Sequence, residues 1–112
     1  MRIHAIICTR NTEFSVTTNE LLTTLSSYGV KVNVLANRRS IFEAYQEGMR
    51  MTCAKPDDIV ILCHDDLILL EEKDKFLRGL AKCVELEVGI IGPAGTTELG
   101  LDAVWWNQDK WV

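Results

Sequence analysis

Ile59-Val60-Ile61-Leu62-Cys63-His64-Asp65-Asp66 decides the reading of this chain. Its first five residues are apolar and rich in β-branched types, the pattern of a strand buried on both faces. The run then ends in a histidine and two carboxylates. A sheet interior does not tolerate unpaired charge, so the acids must emerge at the strand's C-terminal end. In open α/β sheets that edge is where ligands bind. Adjacent carboxylates repel one another unless positive charge lies nearby, and a divalent cation is the usual solution. The stretch points to a metal-assisted site for a phosphorylated ligand. The structural alternative is that one acid caps the following turn and the other is solvated.

Working outward, strands alternate with helices. Arg2–Cys8 reads as a first strand, followed by the polar loop Thr9-Arg10-Asn11-Thr12. Ser15–Tyr28 reads as a helix with Leu21, Leu22, Leu25 and Tyr28 on one face, closed by Gly29. Val30–Leu35 alternates valines and reads as a second strand, leading into Asn37-Arg38-Arg39. Ser40 and Glu43 have the spacing of a capping box, opening a helix expected to turn Ile41, Phe42, Tyr45 and Met49 inward. Pro56-Asp57-Asp58 is a turn before the third strand, Ile59–Cys63. A further helix, Asp74–Val84, is expected to bury Phe76, Leu77, Leu80, Cys83 and Val84. Val88–Ile91 is the expected fourth strand, broken by Gly92-Pro93-Ala94-Gly95. The fold class is therefore α/β, a mainly parallel sheet with flanking helices joined by right-handed crossovers. The loops at 9–12, 36–39, 64–66 and 92–97 would then open at one sheet edge.

Composition sets bounds on function. With 112 residues the chain is sized for one domain, 1–112, and 47% hydrophobic with 25% charged residues is ordinary for a globular protein. A net charge of −4 argues against a nucleic-acid partner. No apolar run approaches the roughly 20 residues that span a bilayer. Met1-Arg2 leads straight into a strand-like segment, so a signal peptide is not expected. The four cysteines, Cys8, Cys53, Cys63 and Cys83, form no CxxC pair. They read as reduced, mostly buried thiols of a cytoplasmic protein, and their spacing with His4 or His64 suits zinc poorly.

Several smaller features have two readings each. Thr9-Arg10-Asn11 could bind a base or ribose, with Arg10 neutralising phosphate, or could be a plain polar loop. Asn37 could pair with a nucleobase edge through its amide, while Arg38 and Arg39 could equally be solvated charges. Trp105 and Trp106 could stack on a sugar ring or fill core. No GxGxxG follows the first strand and no GxxxxGK[ST] occurs, which disfavours a dinucleotide fold and a P-loop NTPase. No Ser-His-Asp or Cys-His nucleophile arrangement is present; Cys63 and His64, as strand neighbours, face opposite ways.

Taken in order, these segments resemble one family. Ile6-Ile7-Cys8-Thr9-Arg10-Asn11, Asn37 with Ser40-Ile41 and Ala44-Tyr45, Ile61-Leu62-Cys63-His64-Asp65-Asp66, Gly89–Gly95 and Trp105-Trp106 are similar to nucleotide-sugar glycosyltransferases of the GT-A fold. The nearest pattern is the family-2-like group whose strand ends in His-x-Asp, a variant of the DxD motif. The resemblance implies a Rossmann-like GT-A sheet and transfer of a sugar from a nucleoside-diphosphate donor, UDP-sugar favoured, to a glycan or glycoprotein acceptor. It implies Thr9, Arg10, Asn11, Asn37 and Asp65 at the nucleotide, Asp66 and His64 at Mn²⁺ or Mg²⁺, and Trp105 and Trp106 against sugar or acceptor. His64 stands where many relatives have the first aspartate of the motif. The chain is shorter than GT-A domains usually are, so it is expected to be the N-terminal donor-binding portion of such an enzyme, incomplete as a GT-A domain and without an assigned catalytic base. Two other classes fit the same residues: a non-catalytic nucleotide-binding module, and a metal-dependent nucleotidyltransferase or phosphohydrolase. An unfinished sheet edge would favour a homo-oligomer.

Overall fold

The computed structural model describes residues 1–92. Its elements follow in the order β1 (Ile3–Thr9), α1 (Val16–Ser27), β2 (Lys31–Ala36), α2 (Ile41–Thr52), β3 (Ile59–His64) and α3 (Lys73–Glu85). Contacts group the chain into two compact units, Met1–Leu77 and Arg78–Val112. The first holds the sheet, α1, α2 and the start of α3.

The sheet has three strands in the order β2-β1-β3, and both pairings are parallel. This is the α/β architecture expected, consistent with part of a Rossmann-like GT-A fold. Central β1 is covered on both faces, which is why it carries an unbroken buried run from His4 to Ile7. Ala5 and Ile7 face α1, packing with Leu21, Leu25, Val30 and Cys63. Ile6 faces the other way, against Leu35 and Ala44 of α2. The helices therefore lie on opposite faces. From β1 the chain winds out to β2, then crosses back over β1 to β3. That reversal opens a crevice beyond the C-terminal ends of β1 and β3, the usual ligand position in such sheets.

Local chemistry explains the helix limits. Ser15 caps α1, its hydroxyl accepting from the Thr18 N–H at 3.1 Å. At the other end Gly29 takes φ +82°, and the Gly29 and Val30 N–H groups bond back to Ser26 and Leu25. Ser40 caps α2 by accepting from the Glu43 N–H at 3.1 Å, and Cys53 ends it in the left-handed region.

The inward face of α2 differs from expectation. Ile41, Phe42 and Met49 are 42%, 80% and 46% exposed, whereas Ala44 and Gly48 are buried. Close approach is the reason: a Cβ on Gly48 would lie 2.5 Å from Cγ2 of Ile6. The helix rests on β1 through its smallest residues, one turn apart, and the large apolar ones are turned away. Tyr45 alone of the expected set packs on this cluster.

Helix α3 forms as expected but has no fully buried residue. Phe76 joins the α1-side cluster with its ring 5.8 Å from that of Tyr28, while Val84 is 45% exposed. The expected strand Val88–Ile91 is not formed, and Ile90 is 96% exposed. β-Branched residues favour a strand only where a neighbour supplies the ladder. The Gly92–Thr97 loop beyond Gly92, and Trp105 and Trp106, lie outside the described residues. The thiols are free: Cys63 is buried and Cys8 and Cys83 are half-buried, but Cys53 is exposed, contrary to a mostly buried set. No helix among the described residues is long and apolar enough to cross a membrane.

A buried pair holds the N-terminal edge of the sheet. His4 is 2% exposed, and its Nε2 lies 3.1 Å from Oδ2 of Asp58. A carboxylate only accepts, so Nε2 carries the proton. Asp58 also accepts from the Lys55 N–H at 3.0 Å and the Arg2 N–H at 2.9 Å. Those backbone donors, then His4, hold its carboxyl far below the usual carboxylate range.

Candidate donor-binding site

Three of the expected loops meet at the C-terminal sheet edge because their strands are parallel and in register. Thr9 is opposite Ala36 on one side, and Cys8 is opposite His64 on the other. Thr9, only 3% exposed, ties the three together. Its carbonyl accepts the Asn37 N–H at 2.9 Å. Its hydroxyl donates to Oδ2 of Asp65 at 2.7 Å and accepts the Asn11 N–H at 3.3 Å. Thr9, Asn11, Asn37 and Asp65 are thus brought into one hydrogen-bonded group.

Around that group the other candidates vary in placement. Arg10 and Asn11 are exposed in the loop after β1, and Arg10 makes no salt bridge among the described residues. Asn37 is exposed and takes φ +55°, a conformation that asparagine adopts more readily than most residues. Its successor Arg38 is committed elsewhere: Nε and Nη2 grip Glu47 at 2.6 and 3.0 Å, and Nη1 donates to the Ala36 carbonyl at 2.7 Å. The hydrogen bond to Glu47 raises the Arg38 pKa, and the same bond lowers that of Glu47.

Asp65 is half-buried and Asp66 exposed in the turn that follows β3. His64 is exposed on the α2 face, sharing that face with its register partner Cys8, whereas Asp65 bonds to residues of the α1 side. Among the described residues no group of three or more His, Cys, Asp or Glu side chains gathers to hold a metal ion. Burial raises the Cys8 thiol pKa, Asp65 raises it further, and Arg10 opposes them, so charge of both signs reaches this edge. A groove of about 430 Å³ runs beside α1 between Asn19, Thr23 and Ile68, but neither Thr9 nor Asp65 lines it.

Two residues of the site were not singled out from sequence. Thr18 is fully buried and donates from Oγ1 to the Asp65 carbonyl at 3.3 Å. Ser15, its capping partner, lies 3.0 Å away through the hydroxyls. The Ser-x-x-Thr spacing signals a helix start, yet nothing local says that the threonine reaches a carbonyl 47 positions away.

A family model described as a glycosyltransferase-like family matches residues 4–112. The chain belongs to this glycosyltransferase-like family. No curated protein and no solved structure matches it. Membership makes the chain a glycosyltransferase at a coarse level, with a sugar donor and an acceptor as the implied substrates.

Proposed function

We propose that this domain binds a nucleoside-diphosphate sugar, with UDP-sugar favoured, and that sugar passes from it to a glycan or glycoprotein acceptor. The observation that supports this most is the joining of the β1, β2 and β3 ends through Thr9, which sets Asp65-Asp66 beside a loop carrying Arg10. In the reaction an acceptor hydroxyl oxygen bonds to the anomeric carbon. The bond from that carbon to the diphosphate breaks, and the acceptor proton is lost. Negative charge grows on the departing diphosphate. Arg10, an unpaired guanidinium among the described residues, suits it by charge and by planar donor geometry. Asn11 and Asn37 offer amides for the base or ribose.

The acid turn supplies hard oxygen donors, and too few of them for a resident all-protein cation site. That set fits Mg²⁺ or Mn²⁺ shared with diphosphate and water, and Asp66 would hold it. When bound, the cation would neutralise charge on the leaving group. His64, exposed at the end of β3 two residues before Asp66, is the second candidate ligand.

Calorimetric titration of UDP and GDP, with and without Mn²⁺, tests this reading on the chain and on Asp66→Ala. Binding that requires Mn²⁺ and is lost in Asp66→Ala is expected. Failure of the folded chain to bind either nucleotide refutes it.

A further inference from the structure

We propose that Thr18 of α1 is a positioning residue that pins the acid turn, so that Asp66 is presented at the crevice in one orientation. The inference rests on the reading of that turn as the donor site. Asp65 is held at two points. Its carboxylate accepts from the Thr9 hydroxyl of β1 at 2.7 Å, and its carbonyl accepts from the Thr18 hydroxyl of α1 at 3.3 Å. A carbonyl only accepts, so the single Thr18 proton is spent there. The Ser15 hydroxyl must then donate to Thr18 Oγ1 across their 3.0 Å contact, forming the chain Ser15–Thr18–Asp65. Both threonines are almost wholly shielded, Thr18 at 0% and Thr9 at 3% exposure, so water can reach these bonds only from the Asp65 and Ser15 ends.

The geometry separates this role from helix capping. The cap uses the Thr18 backbone N–H, which donates to Ser15 Oγ at 3.1 Å. The hydroxyl is not needed for the cap and is directed to the β3 turn. Replacing Thr18 with valine keeps the backbone cap and the shape, and deletes the pin together with the hydroxyl bond from Ser15. A carboxylate fixed in advance binds charge without reorganising at that moment, which is the advantage a pinned turn would confer.

The test compares wild-type, Thr18→Val, Thr18→Ser and, as a control on the exposed side of α1, Thr23→Val. Two readouts are taken: hydrogen–deuterium exchange at the 65–67 amides without ligand, and UDP affinity with Mn²⁺. Thr18→Val should exchange faster at the turn and bind about five- to tenfold more weakly, the effect of one lost hydrogen bond with a carbonyl left unpaired. Thr18→Ser should restore both, and Thr23→Val should change neither. Unaltered exchange and affinity in Thr18→Val, or a loss that Thr18→Ser leaves in place, overturns the proposal. If wild-type binds no nucleotide while Thr18→Val still loosens the turn, the donor-site reading fails and the pin stands. Should Thr18→Val not fold, Thr18→Ala is held to the same criteria.

Discussion

Gly48→Ala puts the close approach of α2 to β1 under test. The added Cβ would stand 2.5 Å from Ile6 Cγ2, 3.0 Å from Cδ1 and 3.1 Å from Cγ1. Cγ2 branches directly from Cβ, so it retreats only if χ1 leaves its well or β1 moves. Neither is easy, because Ile6 is fully buried against Leu35 and Ala44. Overpacking of this kind costs about 1–3 kcal/mol, and a shift of central β1 belongs to the upper half of that range. Alanine recovers about 1 kcal/mol of helix propensity over glycine. The net expectation is a destabilisation of about 1–2 kcal/mol, a fall in Tm of roughly 5–12 °C for a domain of this size. Urea unfolding should show a lower midpoint with an unchanged slope. The sign should reverse in an Ile6→Ala background, where the clash is gone and only the propensity gain of about 1 kcal/mol remains. A Gly48→Ala chain as stable as wild-type, or a penalty that persists without the Ile6 side chain, would refute the argument.

Other consequences follow from the buried groups. Asp58 has a depressed folded-state pKa, so its contribution is present above the unfolded carboxylate value of about 3.9 and is lost as pH falls through the folded value. Asp58→Asn should lower Tm at neutral pH and flatten its acid decline below about pH 4; equal acid slopes in the two proteins would contradict this. Burial pushes the Cys63 thiol up to about 11, which leaves roughly one thiolate in a thousand at pH 8. Maleimide at pH 8 should therefore label exposed Cys53 readily and Cys63 only on unfolding, as peptide mapping would reveal. Asp65→Asn removes a negative neighbour of Cys8 and should speed its alkylation at constant pH; an unchanged rate would place that charge elsewhere.

Identity of the elements was largely legible from local signals. The Ser40 capping box, a glycine stop and the apolar run ending in His64-Asp65-Asp66 each depend on neighbours within one or two turns. They located three strands and two helices to within a residue or two, and the start of the helix that Ser40 opens. The parallel order then required the loops after those strands to share an edge, and those after β1, β2 and β3 do meet there. Val88–Ile91 shows the limit of such reasoning: its composition suits a strand, but pairing decides strands and is not a local property. The inward face of α2 failed for a related reason. Periodicity marks where apolar residues fall, whereas the distance to β1 selects Ala44 and Gly48 over Ile41, Phe42 and Met49.

What the sequence determined alone is the alternation of strands and helices and the emergence of two carboxylates at a strand's end, because hydrophobic period and charge exclusion act along the chain. Only tertiary structure decided what those carboxylates are tied to. Thr9 reaches Asp65 across 56 positions, Thr18 reaches it across 47, and His4 reaches Asp58 across 54. Such bonds form because parallel pairing brings distant strand ends together out of water, where each buried hydroxyl or imidazole must find a partner or bear the cost of having none.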